Sequence, residues 1–407
     1  MPTPQPLQSL APANHWSVAG REALSLALIE TRNSSLTLFT RFESAGRDAD
    51  EFVLSDGRRA TALWLLGRVG WFAERWTNRN TQRALGVACP AQPVRLASIE
   101  PSADLWWGDS GGGLARQRPD AALVRQYLLE ALEGTLAILE KTPETAEGLY
   151  LFRMALFHEA LQAEVFAEAA QTLGVDLGLE RAAGAAAREP LVCPATRWRL
   201  GHEGPGWHSD VDSGSQELAL PEFEIDAGPV TWAQFSEFVA DGGYDRRELW
   251  RPDGWLWLSA QQGARRGPRH VEQMGLGAVT ARRFGKTVRV ATGQAVAHAT
   301  WWEADAFARW AGRRLPHEAE WDCAARTAGR RGFAWGQVWE WTSGTLAPLE
   351  GKRTAPWSAC ADAGYGRCRV LKGASFATAP RLVSVSSRGF ALPSRDEGFT
   401  GFRTCAL

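Results

Sequence analysis

The sequence predicts an α+β chain, a four-helix bundle followed by a loop-rich unit of short strands. Three observations carry this. Four stretches before residue 174 place apolar residues three and four apart, as helices with one buried face require. An Ala-rich run, Arg181-Ala-Ala-Gly-Ala-Ala-Ala-Arg-Glu-Pro190, then separates them from the rest of the chain. Beyond it, short apolar runs alternate with Gly, Pro and most of the 20 Trp, a pattern of strands, turns and irregular packing. The expected division is a flexible N-terminus over 1–18, the bundle over 19–174, a linker over 175–190 and the α+β unit over 191–407.

The first helix is expected from Gly20 to about Ala45, with Leu24, Leu26, Ile29, Leu36, Phe39 and Phe42 inward. The second runs from about Arg59 to Asn80 on Leu63, Leu66, Val69, Phe72 and Trp76. A loop ending in Gly111-Gly112-Gly113 is too flexible to be helical. Pro119 suits the first turn of a third helix, from about Asp120 to Lys141, which Thr142-Pro143 breaks. The fourth helix carries Leu151, Met154, Ala155, Leu161, Val165 and Phe166 and ends near Gly174. Beyond the linker only two helices are predicted, about 231–240 and 302–312, and His317 stands where an N-cap side chain belongs.

Composition excludes several classes of function. With 45 Lys and Arg against 46 Asp and Glu, the chain presents no basic excess for nucleic acid or an anionic membrane surface. No apolar run approaches the roughly 20 residues that span a bilayer. The N-terminus lacks the charged-then-apolar pattern of a secretory signal, so a cytoplasmic location is expected. Six dispersed cysteines without a CxxC pair do not form a disulfide framework.

On the fourth helix His158 and Gln162 stand four apart and project from one side. Two imidazoles at that spacing make half a metal site; here there is one imidazole and one amide. A lone histidine on such a helix also reads as a hydrogen-bonded core residue. His202 and His208 flank a Gly-Pro-Gly turn and offer a surface pair. His298 reads as structural, and neither it nor His317 pairs at metal spacing with another His or Cys.

Several phrases of the second half carry a resemblance. They include Pro229-Val-Thr-Trp232, Trp310-Ala-Gly-Arg-Arg-Leu-Pro-His-Glu-Ala-Glu-Trp321, Val338-Trp-Glu-Trp-Thr342 and Gly401-Phe-Arg403. On them this half resembles the formylglycine-generating-enzyme-type domain, a C-type-lectin-like fold. Joined to a DinB-like bundle, the chain resembles the ergothioneine sulfoxide synthases. The phrases Leu63 to Asn80, Leu149 to Glu164 and Gly401 to Ala406 are most similar to the selenoneine-synthase branch.

The resemblance implies a non-haem iron oxidoreductase that forms a C–S or C–Se bond on histidine betaine. Such enzymes hold Fe(2+) with three histidines, one from the second helix and two from the fourth. Neutral imidazoles suit ferrous iron and leave open positions for substrate and dioxygen. In this chain only His158 retains a ligand; Arg68 and Gln162 occupy the other two positions. A guanidinium has no lone pair to donate. At about 4 Å from a divalent cation it repels by several kcal/mol even at an effective dielectric of ~20. Arg68 is instead suited to a carboxylate, from Glu159, Glu164 or a ligand.

The family's proton-donating tyrosine maps onto Leu349, in Leu349-Glu-Gly-Lys352, which cannot transfer a proton. Its Arg-Asn-aromatic-aromatic phrase, which holds the betaine, maps onto Arg388-Gly389-Phe390-Ala391. Phe390 retains a face for a cation, whereas the amide anchor is gone. The loop Asp109 to Arg116, near the thiol or selenosugar in the family, diverges throughout, and Cys360 and Cys368 do not reproduce the formylglycine enzymes' cysteine pair.

The expectation is therefore a member of this family whose iron binding is weak or absent and whose original reaction is diverged or lost. The expected partner is a small-molecule ligand in the interdomain cleft, bound through Arg68, Arg388, Phe390 and Gln162. Two further readings stand beside it: a non-catalytic ligand-binding or partner subunit, and metal-free chemistry on an anionic ligand using Arg68 and His158.

Overall fold

The computed structural model describes residues 14–108, 119–184, 188–202, 206–261, 265–353, 355–358 and 361–407. The loop 109–116, Cys360 and most of the N-terminal stretch 1–18, all singled out above, lie outside them.

Four long helices build the first half: α1 (Arg21–Ser44), α2 (Ala62–Ala73), α3 (Ala121–Lys141) and α4 (Ala146–Leu173). Helix α2 continues into a π-helical turn, Glu74–Asn78. Side-chain oxygens of Thr61, Asp120 and Thr145 cap the first turns of α2, α3 and α4, and Gly174 ends α4 in a left-handed conformation with φ 75°. Pro119 therefore lies one residue before the N-cap of α3, not in its first turn.

The core between the helices is aromatic and aliphatic, with Phe39, Phe42, Leu66, Phe72, Trp76, Leu151, Met154 and Phe166 buried. Leu26 and Ile29, expected inward, face solvent at 65% and 38% exposure. The buried face runs through Leu24, Leu28, Thr31, Ser35, Phe39 and Phe42, and Leu26 and Ile29 fall to one side of it. Polar pins hold the register. Arg32 donates to Glu159 at 2.9 and 3.2 Å across α1 and α4, and buried Glu74 accepts from Tyr127 at 2.7 Å.

The second half is α+β. Strands β1 (Leu191–Cys193) and β4 (Phe223–Ile225) pair, as do β2 (Thr196–His202) and β3 (Gly214–Leu220), both antiparallel. Strands β5 (Val271–Gly275), β6 (Ala278–Arg283) and β7 (Lys286–Val290) form a meander. The main sheet runs β10 (Arg388–Ala391), β9 (Arg369–Gly373), β8 (Trp339–Thr345), β11 (Thr400–Phe402); the last pair is parallel and the others antiparallel.

Helices α5 (Trp232–Ala240) and α7 (Trp301–Trp310) match the two expected from sequence. Two more lie at Pro252–Ser259 (α6) and Glu318–Thr327 (α8). The N-cap of α8 is His317, whose Nδ1 accepts from the Ala319 amide at 3.2 Å, with Glu320 closing the capping box.

Helix α4 joins the halves. Glu168 accepts from Arg395 at 2.5 Å, and the Gln171 side chain bonds the Arg282 carbonyl and the Phe284 amide at 2.8 and 3.0 Å. Gly285 has φ 81°, and a Cβ there would stand 2.5 Å from the Gly174 carbonyl oxygen, so the chain after α4 lies directly on the β6–β7 turn.

Candidate functional site

Helices α2 and α4 bring position 68 to His158. Phe72 lies one turn after Arg68 and stacks flat on the His158 imidazole, centroids 3.6 Å apart and planes 4° apart. Trp357 meets both rings edge-on, 5.4 Å from His158 and 5.1 Å from Phe72. The imidazole is 4% exposed and its Nδ1 has no hydrogen-bond partner among the described residues. Burial, and secondarily the Arg68 charge, hold its pKa well below the ordinary histidine value, so it is neutral.

Arg68 donates to the Trp107 carbonyl and lies 4.4 Å above the Trp71 ring and 5.9 Å from Trp64. The carboxylates expected to receive it are held elsewhere. Glu159 takes Arg32 and Ser35. Glu164 accepts from Thr378 at 2.7 Å, from the Trp339 indole at 3.1 Å and from Ser375. Gln162 is half-buried on the next turn of α4.

These residues do not fit ferrous iron. Among the described residues no group of three His, Cys, Asp or Glu is placed to hold a metal. One imidazole with an orphaned nitrogen, one guanidinium and two aromatic rings make no iron donor set.

A separate cavity of about 240 Å³ opens between α4 and the second half. Helix α4 contributes Phe157, Leu161 and Glu164, the positions beside His158 and Gln162; of the site residues expected from sequence only Arg388 and Phe390 line it. Its rings are Phe157, Trp207, Trp339 and Phe390, and Phe157 stacks on Trp207 at 4.6 Å. Two carboxylates face it, Glu164 and Asp212. Burial pushes the Asp212 carboxyl up to about 7, against the lowering charge of Lys372 and the hydrogen bond that the Arg388 amide donates to it at 2.7 Å. Burial also raises Glu164, and its hydrogen bonds oppose the rise.

The other expected residues fall differently. Arg388 lines the cavity with a charge already matched. It donates to both Glu318 oxygens at 2.8 and 3.0 Å and to the Val211 and Ala347 carbonyls, and is 4% exposed. Its buried charge is paired with Glu318. Leu349 is buried in a different core, with Leu200, Phe223 and Trp321. The loop residue that reaches His158 is Trp357. A Cβ on Gly389 would stand 3.2 Å from both Leu371 and Trp339, so Trp339 fills the space an asparagine would use.

His202 and His208 do not form an exposed surface pair; both line the cavity with ring centroids 3.8 Å apart. Trp207, Asp212 and Trp339 are site residues that sequence reasoning misses. Trp207 sits between the two histidines that flank the turn, and Trp339 belongs to a phrase that reads as scaffold.

No helix among the described residues is long and apolar enough to cross a membrane. The hercynine oxygenase of Mycolicibacterium smegmatis is 27% identical over 401 aligned residues, covering 84% of this chain and 90% of that one. That of Mycolicibacterium thermoresistibile is 27% identical over 444, covering 95% of each. The formylglycine-generating enzyme of Streptomyces coelicolor is 27% identical over 281, covering 50% of this chain and 83% of its own. The sulfatase-modifying factor enzyme 1-like domain model matches residues 183–337 and 334–406, more than half of the chain. With its sheet and its VWEWT and GFR phrases in that matched half, the chain belongs to the sulfatase-modifying factor enzyme 1-like domain family.

Proposed function

We propose that this chain is a relative of the hercynine oxygenases that has kept an interdomain ligand cavity and lost the iron-dependent reaction. Its ligand is a small organic cation of the betaine type, with an ammonium centre among the rings of Phe157, Trp207, Trp339 and Phe390. One observation carries the reading: four rings and the carboxylates of Glu164 and Asp212 surround one cavity, while His158 beside it is closed off by Phe72 and Trp357. Aromatic faces and carboxylates both attract a quaternary ammonium, by up to about 2 kcal/mol per desolvated ring. The likeness to hercynine oxygenases over most of the chain supports histidine betaine as the first ligand to try. The similarity of the α2 and α4 phrases to the selenoneine branch adds a selenosugar to the co-substrates worth testing.

Calorimetric titration of the full chain with histidine betaine and with tetramethylammonium tests the binding. Oxygen uptake with ferrous iron, histidine betaine and a thiol or selenosugar tests the chemistry. Saturable binding without oxygen uptake is expected. Turnover at an enzymatic rate would sink the proposal, as would absence of binding by either cation. Metal-free chemistry by Arg68 and His158 finds no support, because Arg68 is held on Trp107 and Trp71 and neither residue lines the cavity.

A further inference from the structure

A second cluster of charge lies away from that cavity, where the chain leaving α4 crosses the β6–β7 turn. Arg181 comes from this crossing segment and Arg283 from the end of β6. One side chain ties them together. Arg283 donates to Gln294 Oε1 at 2.7 Å, and Gln294 Nε2 donates to the Arg181 and Ala182 carbonyls at 3.4 and 2.7 Å. Arg181 itself donates to the carbonyl of the next residue, Ala295, at 2.7 Å and lies 5.6 Å from the Phe376 ring centre.

Neither guanidinium forms an ion pair with any described residue, whereas three other arginines of this half do. Arg265 takes Glu303 and Asp396, Arg269 takes Asp396 and Glu397, and Arg395 takes Glu168. Burial and the neighbouring Arg283 bring Arg181 down to about 9, low for a guanidinium. Burial lowers Arg283 as well. Two like charges left half-buried and adjacent are costly unless a counter-ion completes them.

Independent features mark the same place. His298 is 8% exposed, its Nδ1 has no partner, and it feels the Arg181 charge. His298 and Phe284, the residue after Arg283, both hold left-handed backbone, φ 62° and 46°, a strain that non-glycine residues carry where the surroundings over-determine it.

We propose that Arg181 and Arg283 form a binding site for a phosphate-type oxyanion, which clamps the segment after α4 to the β6–β7 turn. Each guanidinium retains N–H groups beyond its single acceptor among the described residues, in the fork geometry that oxyanions accept. A dianion neutralises both arginines, whereas a monocarboxylate neutralises one. The phosphate is either free or a group on a larger metabolite.

Calorimetry of the full chain with inorganic phosphate at low ionic strength tests this, with sulfate and acetate as comparisons. One saturable phosphate site is expected, with sulfate competing and acetate far weaker. Arg181→Gln and Arg283→Gln should each weaken phosphate by about tenfold or more, the loss typical of one charge-assisted contact. Arg282→Gln, an exposed neighbour, should leave it unchanged. In phosphate-free buffer the Tm of R283Q should equal or exceed that of the parent, because a repulsion is removed, and phosphate should no longer raise it.

Absence of saturable binding by phosphate and sulfate overturns the proposal. So does equal weakening by Arg282→Gln, or an R283Q protein with lowered Tm and unchanged phosphate affinity. Acetate binding as tightly as phosphate overturns the dianion assignment. Should R283Q fail to fold, the phosphate-dependent Tm of the parent and of R181Q decides. If phosphate alone saturates the site and phosphorylated metabolites bind no tighter, free phosphate is the ligand; if phosphate saturates it and a phosphorylated metabolite binds tighter, the group belongs to a larger ligand.

Discussion

Phe72 lies face to face with His158, 3.6 Å between centroids and 4° between planes. Because Arg68 precedes Phe72 by one helical turn, this stack also sets the guanidinium beside the imidazole, and the charge of Arg68 helps keep His158 neutral.

Iron should bind poorly to this pocket. After anaerobic ferrous loading and desalting, the protein should retain well under one equivalent by metal analysis. Arg68→His with Gln162→His should raise retention, because it supplies two neutral imidazoles and removes the cation. Stoichiometric, tight iron in the parent would refute the reading of this pocket.

Acid sensitivity is expected from the buried histidines. Burial depresses His158, His298 and His270, the last to about 4. An unfolded histidine titrates near 6.5, so below that pH the unfolded chain binds more protons than the folded one. Stability is therefore kept above about pH 6.5 and falls as pH drops, by up to about 1.4 kcal/mol per pH unit for each such group. Urea melts from pH 7.5 to 5 check it; His158→Phe should shallow the slope, and an unchanged slope counts against the assignment.

Asp212 gives ligand binding a pH dependence of opposite origin. Its carboxyl is pushed up to about 7, so it is neutral below that pH and negative above. His202 is held below its ordinary value and stays neutral over the same window, while Lys372, Arg388, Asp210 and His208 are the other groups near Asp212 or the cavity. Cation affinity should rise by up to about tenfold from pH 6 to 8, with proton release at the lower end. Asp212→Asn should flatten the profile, and Phe390→Ala should weaken a quaternary ammonium about three- to thirtyfold at every pH. A flat parent profile removes Asp212 from the site.

The sheet offers a stability test. Arg403 donates to Glu340 at 2.8 Å with both side chains fully buried, and Trp321 donates to the same carboxylate at 3.0 Å. Arg403→Met leaves Glu340 charged and unmatched and should cost about 3–5 kcal/mol in urea unfolding. Removing the exposed Arg197–Glu217 pair by Arg197→Gln should cost less than about 1 kcal/mol. Equal losses would mean that the buried pair is not what holds β8 and β11 together.

Much of the fold is legible in the sequence because it rests on local rules. The caps at Thr145 and Gly174 and the 3.6-residue repeat bound α4 to within a few residues of the expected ends. Helix α8 is foreseen only at its start, His317 with Glu320 three residues on; its ten residues are too few for periodicity to show its extent. At the site, sequence singles out Arg68 and His158, and the fold sets the two side by side. Leu349 lies in a separate core and Arg388 lines the cavity with its charge already matched by Glu318, because a phrase does not reveal whether a side chain faces a cleft or a core or what it pairs with.

Residue type and spacing along the chain are enough to predict the α+β class and the helical first half, and whole phrases carry the likeness to the family. Other relations exist only in the folded molecule: Arg388 is consumed by Glu318, Trp357 covers His158, and Glu164 and Asp212 meet four rings in one cavity. They join residues up to some 230 positions apart, from Phe157 to Phe390. Burial and charge pairing at such distances are set by how the two halves pack, which no local pattern encodes.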